Sequence, residues 1–387
     1  MKNTNVIVCA GGGGVGKTTT SAALALATAR SGARVLVISL DPARRLGDAL
    51  GVRLGSEPSE LTVDSGDGAL FGLMPDPNTA LTAFSKILFA EDLSAIDRLR
   101  HNRVYAALDE SVPGLHELVT MHIALQAVDE LEIDTVVVDT APSRNAVDFI
   151  DYPRRLAKLL RSRAVGWLAK IGSGAEPSPR HRMGRVERLL VDAVGPAVRD
   201  AAGLFAELAK ARERFLELNE QAGRLLFGPE TKYLLVAAPT SAAQEDVHYL
   251  VNKLRGLRLR ANAVILNSAY VVDSGWIERL ENTERSTAAI RSALATIRDE
   301  QRARRRAADR LSDSIALQHP RLPQVRLPRV EVREPREIVS RLALAVERSG
   351  GPELWDPPER QRRADRLRSD AAEHAAHERD AQGSLAV

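Results

Sequence analysis

At 387 residues the chain exceeds one ordinary domain, so one large α/β core with a helical insertion, or two domains, is expected. Its 54 basic residues nearly balance 51 acidic ones, a net charge of +3 that demands no nucleic-acid partner, and its single cysteine, Cys9, excludes an internal disulfide or a cysteine-clustered metal site within one chain. No apolar run approaches the roughly 20 residues of a membrane span, and the first strand begins too early and too polar for a signal peptide, so a cytoplasmic protein is expected.

In chain order, Val6-Ile7-Val8-Cys9-Ala10 reads as a short apolar strand in which Cys9 is a small buried hydrophobe. Gly11, Gly12, Gly13, Gly14, Val15, Gly16, Lys17 and Thr18 follow, matching G-x-x-x-x-G-K-[ST] at every fixed position, and Thr19 to Arg30 is Ala/Leu-rich and helical. Strand, loop and helix in that order are the setting a phosphate cradle requires. Glycines let backbone N–H groups face the phosphates at φ values a side chain forbids, and the helix points its positive end at the same anion. Lys17 adds a mobile cation for the β- and γ-phosphates, Thr18 offers a hydroxyl to Mg²⁺, and Thr19 is placed to reach the α-phosphate. The implied ligand is a nucleoside triphosphate.

Val35 to Leu40 is a second strand, and Asp41 ends it in Leu40-Asp41-Pro42-Ala43-Arg44-Arg45. From spacing alone, Asp41 reads equally as a carboxylate that orients or deprotonates an attacking water and as a turn-initiating Asp-Pro. A helical segment is expected at about 78–130, then a third strand, Thr135 to Val138, ending at Asp139 in Asp139-Thr140-Ala141-Pro142-Ser143-Arg144-Asn145. A carboxylate there can hold a water of the Mg²⁺ shell opposite the phosphate loop. Between the third strand and a fourth, Tyr233 to Ala238, lies a stretch of about residues 145–230 that a minimal crossover does not need. One helical run within it carries Leu156, Leu159, Leu160, Val165, Trp167, Leu168 and Ile171; after a Gly/Ser/Pro break from Gly172 to Pro179 a second carries Val198 to Leu225. Ala263 to Asn267 is a fifth strand. Arg302, Arg304, Arg305, Arg306 and Arg310 share a helix with Asp299, Glu300 and Asp309, which reads as a solvated face rather than a DNA surface. His374 and His377 have no further ligand nearby. The tail, 352–387, is charged and reads as a solvated or disordered extension. Short apolar strands alternating with helices give an α/β class: a doubly wound, mostly parallel sheet with a helical insertion.

The phosphate loop, the DPARRLGDAL segment and the DTAPSRN segment, in this order and spacing, resemble the P-loop and two switch segments of the ArsA-type ATPases, P-loop NTPases with a deviant Walker A loop. That family includes the arsenite-pump ATPase and the guided-entry ATPase of tail-anchored proteins. Pro113-Gly114-Leu115-His116-Glu117 resembles its PGxxE segment, and Pro239 to Leu254 the stretch before its base-binding Asn. The match spans about residues 5–345, and the DTAPSRNAVDF continuation with Asp151-Tyr152-Pro153 most resembles a bacterial branch known mainly from actinobacteria. The resemblance implies that Asn267 hydrogen-bonds adenine and that the loop Leu327 to Arg333 covers the base, with Pro328 and Val330 as contacts. It implies Asp41 and Lys17 as catalytic groups, and ATP/ADP with Mg²⁺ as cofactors, the metal held by Thr18 and, through water, by Asp139. It also implies an ATPase core of 1–145 and 231–345, a helical client-binding subdomain of 146–230, and a dimeric nucleotide switch.

Two departures from the family bear on mechanism. The second loop position is a lysine in most of the family and in its relatives MinD and ParA, where it reaches across a dimer to the partner's nucleotide; here it is Gly12. Arg44, Arg45 or Arg144 could supply that charge, or a paralogous partner could carry the lysine, which leaves a homodimer and a heterodimer both open. A weakly hydrolytic regulatory subunit and a ParA-like cargo positioner are the alternative functions. Arsenite binding needs clustered thiolates, and the CxxC zinc clasp of the guided-entry ATPases is missing, so neither arsenite nor zinc is expected. An apolar protein or lipid-like client at 146–230 suits the family's architecture, although the same apolar stripes are accounted for by helices packing on one another and on the sheet.

Overall fold

The computed structural model describes residues 4–350 apart from 42, 44, 90–91, 104, 106–114, 142–146, 148–149, 151–157, 159–194, 241, 273–275 and 284–286. Its strands are β1 (Asn5–Gly11), β2 (Arg34–Ser39), β3 (Ser59–Glu60), β4 (Ala69–Leu73), β5 (Thr135–Asp139), β6 (Thr231–Ala237), β7 (Ala261–Val271) and β8 (Gln324–Arg329). They form one sheet in the order β3-β4-β2-β5-β1-β6-β7-β8, in which only the β3–β4 pairing is antiparallel. The described helices are α1 (Lys17–Arg30), α2 (Arg45–Leu50), α3 (Pro77–Phe89), α4 (Leu93–Arg100), α5 (Leu115–Glu130), α6 (Gly195–Lys210), α7 (Arg212–Phe227), α8 (Ala243–Gly256), α9 (Trp276–Glu281), α10 (Ala288–Gln318) and α11 (Pro335–Arg348).

Helices cover both faces, which is why the central strands are apolar at every position rather than at alternate ones. Val6, Val8, Leu36, Ile38, Val136 and Val138 point into one core with α3, α5, α7, α8 and α10. Their neighbours Ile7, Cys9, Val35, Val37 and Val137 point into the other with α1, α2 and α11. The chain winds from β1 out to β4, returns to β5 beside β1, then crosses to β6, β7 and β8. Such a reversal opens a crevice at the carboxyl ends of the central strands.

The five strands expected from sequence are present, and three more flank them. β3 and β4 are short, with Gly72 interrupting β4, and β8 carries Pro328. Proline is tolerated because β8 is an edge strand of the described sheet. Leu327 to Arg329, expected as part of a loop, therefore belong to β8, and the loop begins at Val330. Within 146–230, the run Val198 to Leu225 is broken at Ala211 into α6 and α7. Helix α7 buries Phe215, Leu218, Ala222 and Leu226 in the same cluster as Val138 and Leu235 of the sheet. Arg98 of α4 grips Glu207 of α6 with Nε and Nη2 at 2.8 and 3.1 Å. The expected helix of Leu156 to Ile171, the Gly172 to Pro179 break and the tail 352–387 lie outside the described residues, apart from Lys158. On α10, Arg302 and Arg304 pair with Asp299 and Glu300. Among the described residues no helix is long and apolar enough to cross a membrane.

Candidate functional site

The loop from Gly11 to Gly16 joins β1 to α1 at the crevice, and the glycines within it have separate reasons. Gly14 and Gly16 take φ of 72° and 81°, left-handed backbone that side chains disfavour. A Cβ on Gly16 would also collide with the Asn267 carboxamide. At Gly12, which is buried, a Cβ would sit 2.5 Å from Oδ2 of Asp246 on α8. Gly13 meets nothing within 4 Å of such an atom, so its side is open. The loop is thus a cradle of exposed backbone between α8, β7 and the start of α1. Val15 is buried beneath it, while Thr18 and Thr19 are half-buried in the first turn of α1.

Lys17 from the start of α1, Asp139 from the end of β5 and Asp41 from just past β2 come together there. Lys17 is only 5% exposed; burial holds its ammonium below the usual lysine range, and the charges of Asp139 and Asp41 oppose that shift. Asp139 is fully buried at the end of β5, whose register against β1 and β2 sets it beside Cys9 and Ser39. Burial pushes its carboxyl up to about 6, against the pull of a hydrogen bond from Thr18, the Lys17 charge, and hydrogen bonds from Ser39 and Ser21. The Ser39 hydroxyl lies 3.2 Å from Asp139 Oδ2, and the Ser21 hydroxyl 3.3 Å from Oδ1. Thr18 and Asp139 therefore present two oxygens to one side of the loop, a donor set suited to Mg²⁺, which takes one or two protein oxygens and completes its shell with water and phosphate.

Asp41 is 6% exposed and makes the turn that its spacing allowed. Its Oδ1 accepts from the Ala43 N–H at 3.0 Å, an Asx turn, while Oδ2 stands 3.3 Å from Arg45 Nη1. Its own N–H donates to the Ser39 hydroxyl at 3.2 Å. Ser39 thus ties the Asp139 carboxylate to the Asp41 backbone, a role the sequence reading missed; the available signal was a lone hydroxyl closing an otherwise apolar strand. Of the three arginines considered for the missing cross-dimer charge, Arg45 pairs with Asp41 of its own chain, and Arg44 and Arg144 lie outside the described residues. His116, in the first turn of α5, has both ring nitrogens buried without a hydrogen-bond partner; burial lowers its pKa, opposed by the charges of Asp76 and Asp41. Cys9 is buried and its thiol is pushed up to about 12, so it stays protonated beneath the site.

The residues expected to contact the base are only partly assembled. Asn267 donates from Nδ2 to the Val15 carbonyl at 2.9 Å, which braces the phosphate loop. The β7–β8 register, Leu266 opposite Arg326 and Tyr270 opposite Pro328, puts Asn267 one strand away from Pro328. Pro328 and Val330 line a groove of about 840 Å³ with Tyr270 and Trp276, and Asn267 is not among its lining residues.

A family model described as anion-transporting ATPase matches residues 4–300. Among curated proteins, the ATPase ARSA2 of Chlamydomonas reinhardtii is 27% identical over 254 residues, 65% of this chain and 64% of that protein. The ATPase GET3 of Mycosarcoma maydis is 27% identical over 245 residues, 63% and 66% of the two chains. The ATPase GET3A of Arabidopsis thaliana is 26% identical over 251 residues, 65% and 63%. The matched stretch spans about two thirds of the length of these relatives.

Proposed function

The chain belongs to the anion-transporting ATPase family, and from that membership we propose that it binds ATP with Mg²⁺ at Gly11 to Thr19 and hydrolyses it to ADP and phosphate. The observation that carries the reading is the convergence of Lys17, Thr18, Asp139 and Asp41 on one side of the loop. Backbone N–H groups from Gly13 to Thr18 and the N-terminus of α1 receive the phosphates, and the Lys17 ammonium faces the β- and γ-oxygens. Thr18 and, through water, Asp139 would hold Mg²⁺, which would supply positive charge to offset that of the phosphates. Asp41 accepts a hydrogen bond from the water whose oxygen attacks the γ-phosphorus in line as the bond to the β–γ bridging oxygen breaks. Ser39 holds Asp41 and Asp139 in fixed relation. Asn267, Pro328 and Val330 surround the base, with Asn267 exchanging its hydrogen bond to Val15 or sharing it with adenine.

In this reading the γ-phosphate orders the Asp41 and Asp139 segments, and a dimer couples that change to helices of 146–230 and an apolar or amphipathic client. The test is turnover and binding of purified protein with ATP and Mg²⁺. Asp41→Asn is expected to keep ATP affinity while losing on the order of 10²–10⁴ in kcat. Unchanged kcat in Asp41→Asn would sink the catalytic assignment. Gly12, which brings no charge to the second loop position and faces the Asp246 carboxylate there, favours a second reading: a weakly hydrolytic regulatory subunit of a heterodimer. Turnover that appears only when a paralogous ATPase is added would select it over the first.

A further inference from the structure

β8 is an edge of the sheet: β7 pairs with one side, and no described strand pairs with the other. A groove of about 840 Å³ runs beside this edge, between the ends of β7 and β8, α9 and α11. Tyr270, Val272, Trp276 and Leu344 give it an apolar wall. Val272 is 60% and Leu344 41% exposed, so this wall has no covering element among the described residues. Three arginines and one glutamate also line it, Arg341 and Arg348 on α11 among them; Arg329 pairs with Glu331 and Arg341 with Glu337, which leaves the groove with a small excess of positive charge. It asks for a short apolar segment bearing acidic flanks.

The sequence supplies one a few residues past the groove's last lining residue. Ser349, which ends α11, lines the groove, and Gly350 turns the backbone off the helix at a φ of 98°. The sequence continues Gly351-Pro352-Glu353-Leu354-Trp355-Asp356-Pro357. Leu354 and Trp355 are the one adjacent pair of large apolar residues in 351–387, and a carboxylate stands on either side of them. Leu354 is five residues beyond Ser349, a reach of at most about 17 Å. Leu344 lies five residues before Ser349 on the helix, about 7.5 Å along its axis, well inside that reach. A tether this short holds the segment at an effective concentration on the order of millimolar, so a contact that is weak between separate molecules is populated within one.

We propose that Glu353–Asp356 docks in this groove of its own chain, Leu354 and Trp355 against Leu344, Trp276 and Val272, with Glu353 and Asp356 facing Arg348 and Arg341. The groove shares Pro328 and Val330 with the base site of the nucleotide reading, so the test uses the full chain without nucleotide, and its outcome is separate from that of the turnover assay. Hydrogen exchange is compared between the wild type and a Leu354→Ser, Trp355→Ser variant. The amides of 270–272 and 344–349 are expected to exchange roughly tenfold faster in the variant, and wild-type protection is expected to be unchanged on dilution. Equal exchange in the two proteins overturns the proposal, and so does protection that weakens on dilution, which assigns the groove to a second copy. A second variant pair, Val272→Cys with Trp355→Cys, is then oxidised; Cys9 is buried and takes no part. An intramolecular disulfide is the expected product, whereas an intermolecular one or none counts against the docking.

Discussion

Gly16 shows how much of the site turns on single backbone positions. It combines left-handed φ with an Asn267 carboxamide standing where a Cβ would be, so Gly16→Ala adds a strain of about 1–2 kcal/mol and a collision. The expected result is a lower melting temperature and an ATP affinity reduced by more than tenfold, measured by calorimetry; affinity equal to wild type would contradict the cradle geometry. Gly12 differs in kind. Its backbone does not require glycine, and the constraint is Asp246 on a helix more than 200 residues away in sequence, which no reading of the loop alone could anticipate. Lys17 and Thr18 were legible because the motif is local. Ser39 was not, since its importance comes from what β5 brings beside it.

At the scale of elements, the layer of α3, α5 and α7 carries an acid-sensitive group. His122 of α5 is fully buried, its ring tilted against Phe84 of α3 at 5.2 Å and Nδ1 2.6 Å from the Leu118 carbonyl oxygen. Burial drives its pKa from the ordinary 6.5 down to about 4. The folded state therefore prefers the neutral ring: the contribution is intact above about 6.5 and is lost as pH falls toward 4. The difference of 2.5 units corresponds to roughly 3 kcal/mol, from 1.36 kcal/mol per unit. Denaturant unfolding at pH 7 and pH 4 should show His122→Leu losing less stability than wild type over that interval by about this amount. Identical pH dependence in the two proteins would remove His122 as the cause. The strands that the sequence concealed were likewise a matter of environment: β4 and β8 carry glycine or proline, tolerated there by short length and edge position.

For the whole molecule, a ligand that binds only the folded protein raises stability by mass action. ATP with Mg²⁺ at a hundredfold excess over Kd should add about 2.7 kcal/mol, read as an upward shift in melting temperature that Lys17→Ala abolishes. The absence of any shift in the wild type would count against nucleotide binding at this loop. The sequence by itself determined the phosphate cradle, the alternation of strands and helices, and the doubly wound class, because each rests on local periodicity or on a contiguous motif. Only the tertiary structure decided that β5 lies between β1 and β2, which sets Asp139 beside Ser39 and Thr18, that Asp41 pairs with Arg45, that Asn267 braces Val15, and that Asp246 fills the space beside Gly12. Apart from the Asp41–Arg45 pair, four residues apart, those contacts join residues distant along the chain, and strand order is a property of how the sheet packs rather than of any segment within it.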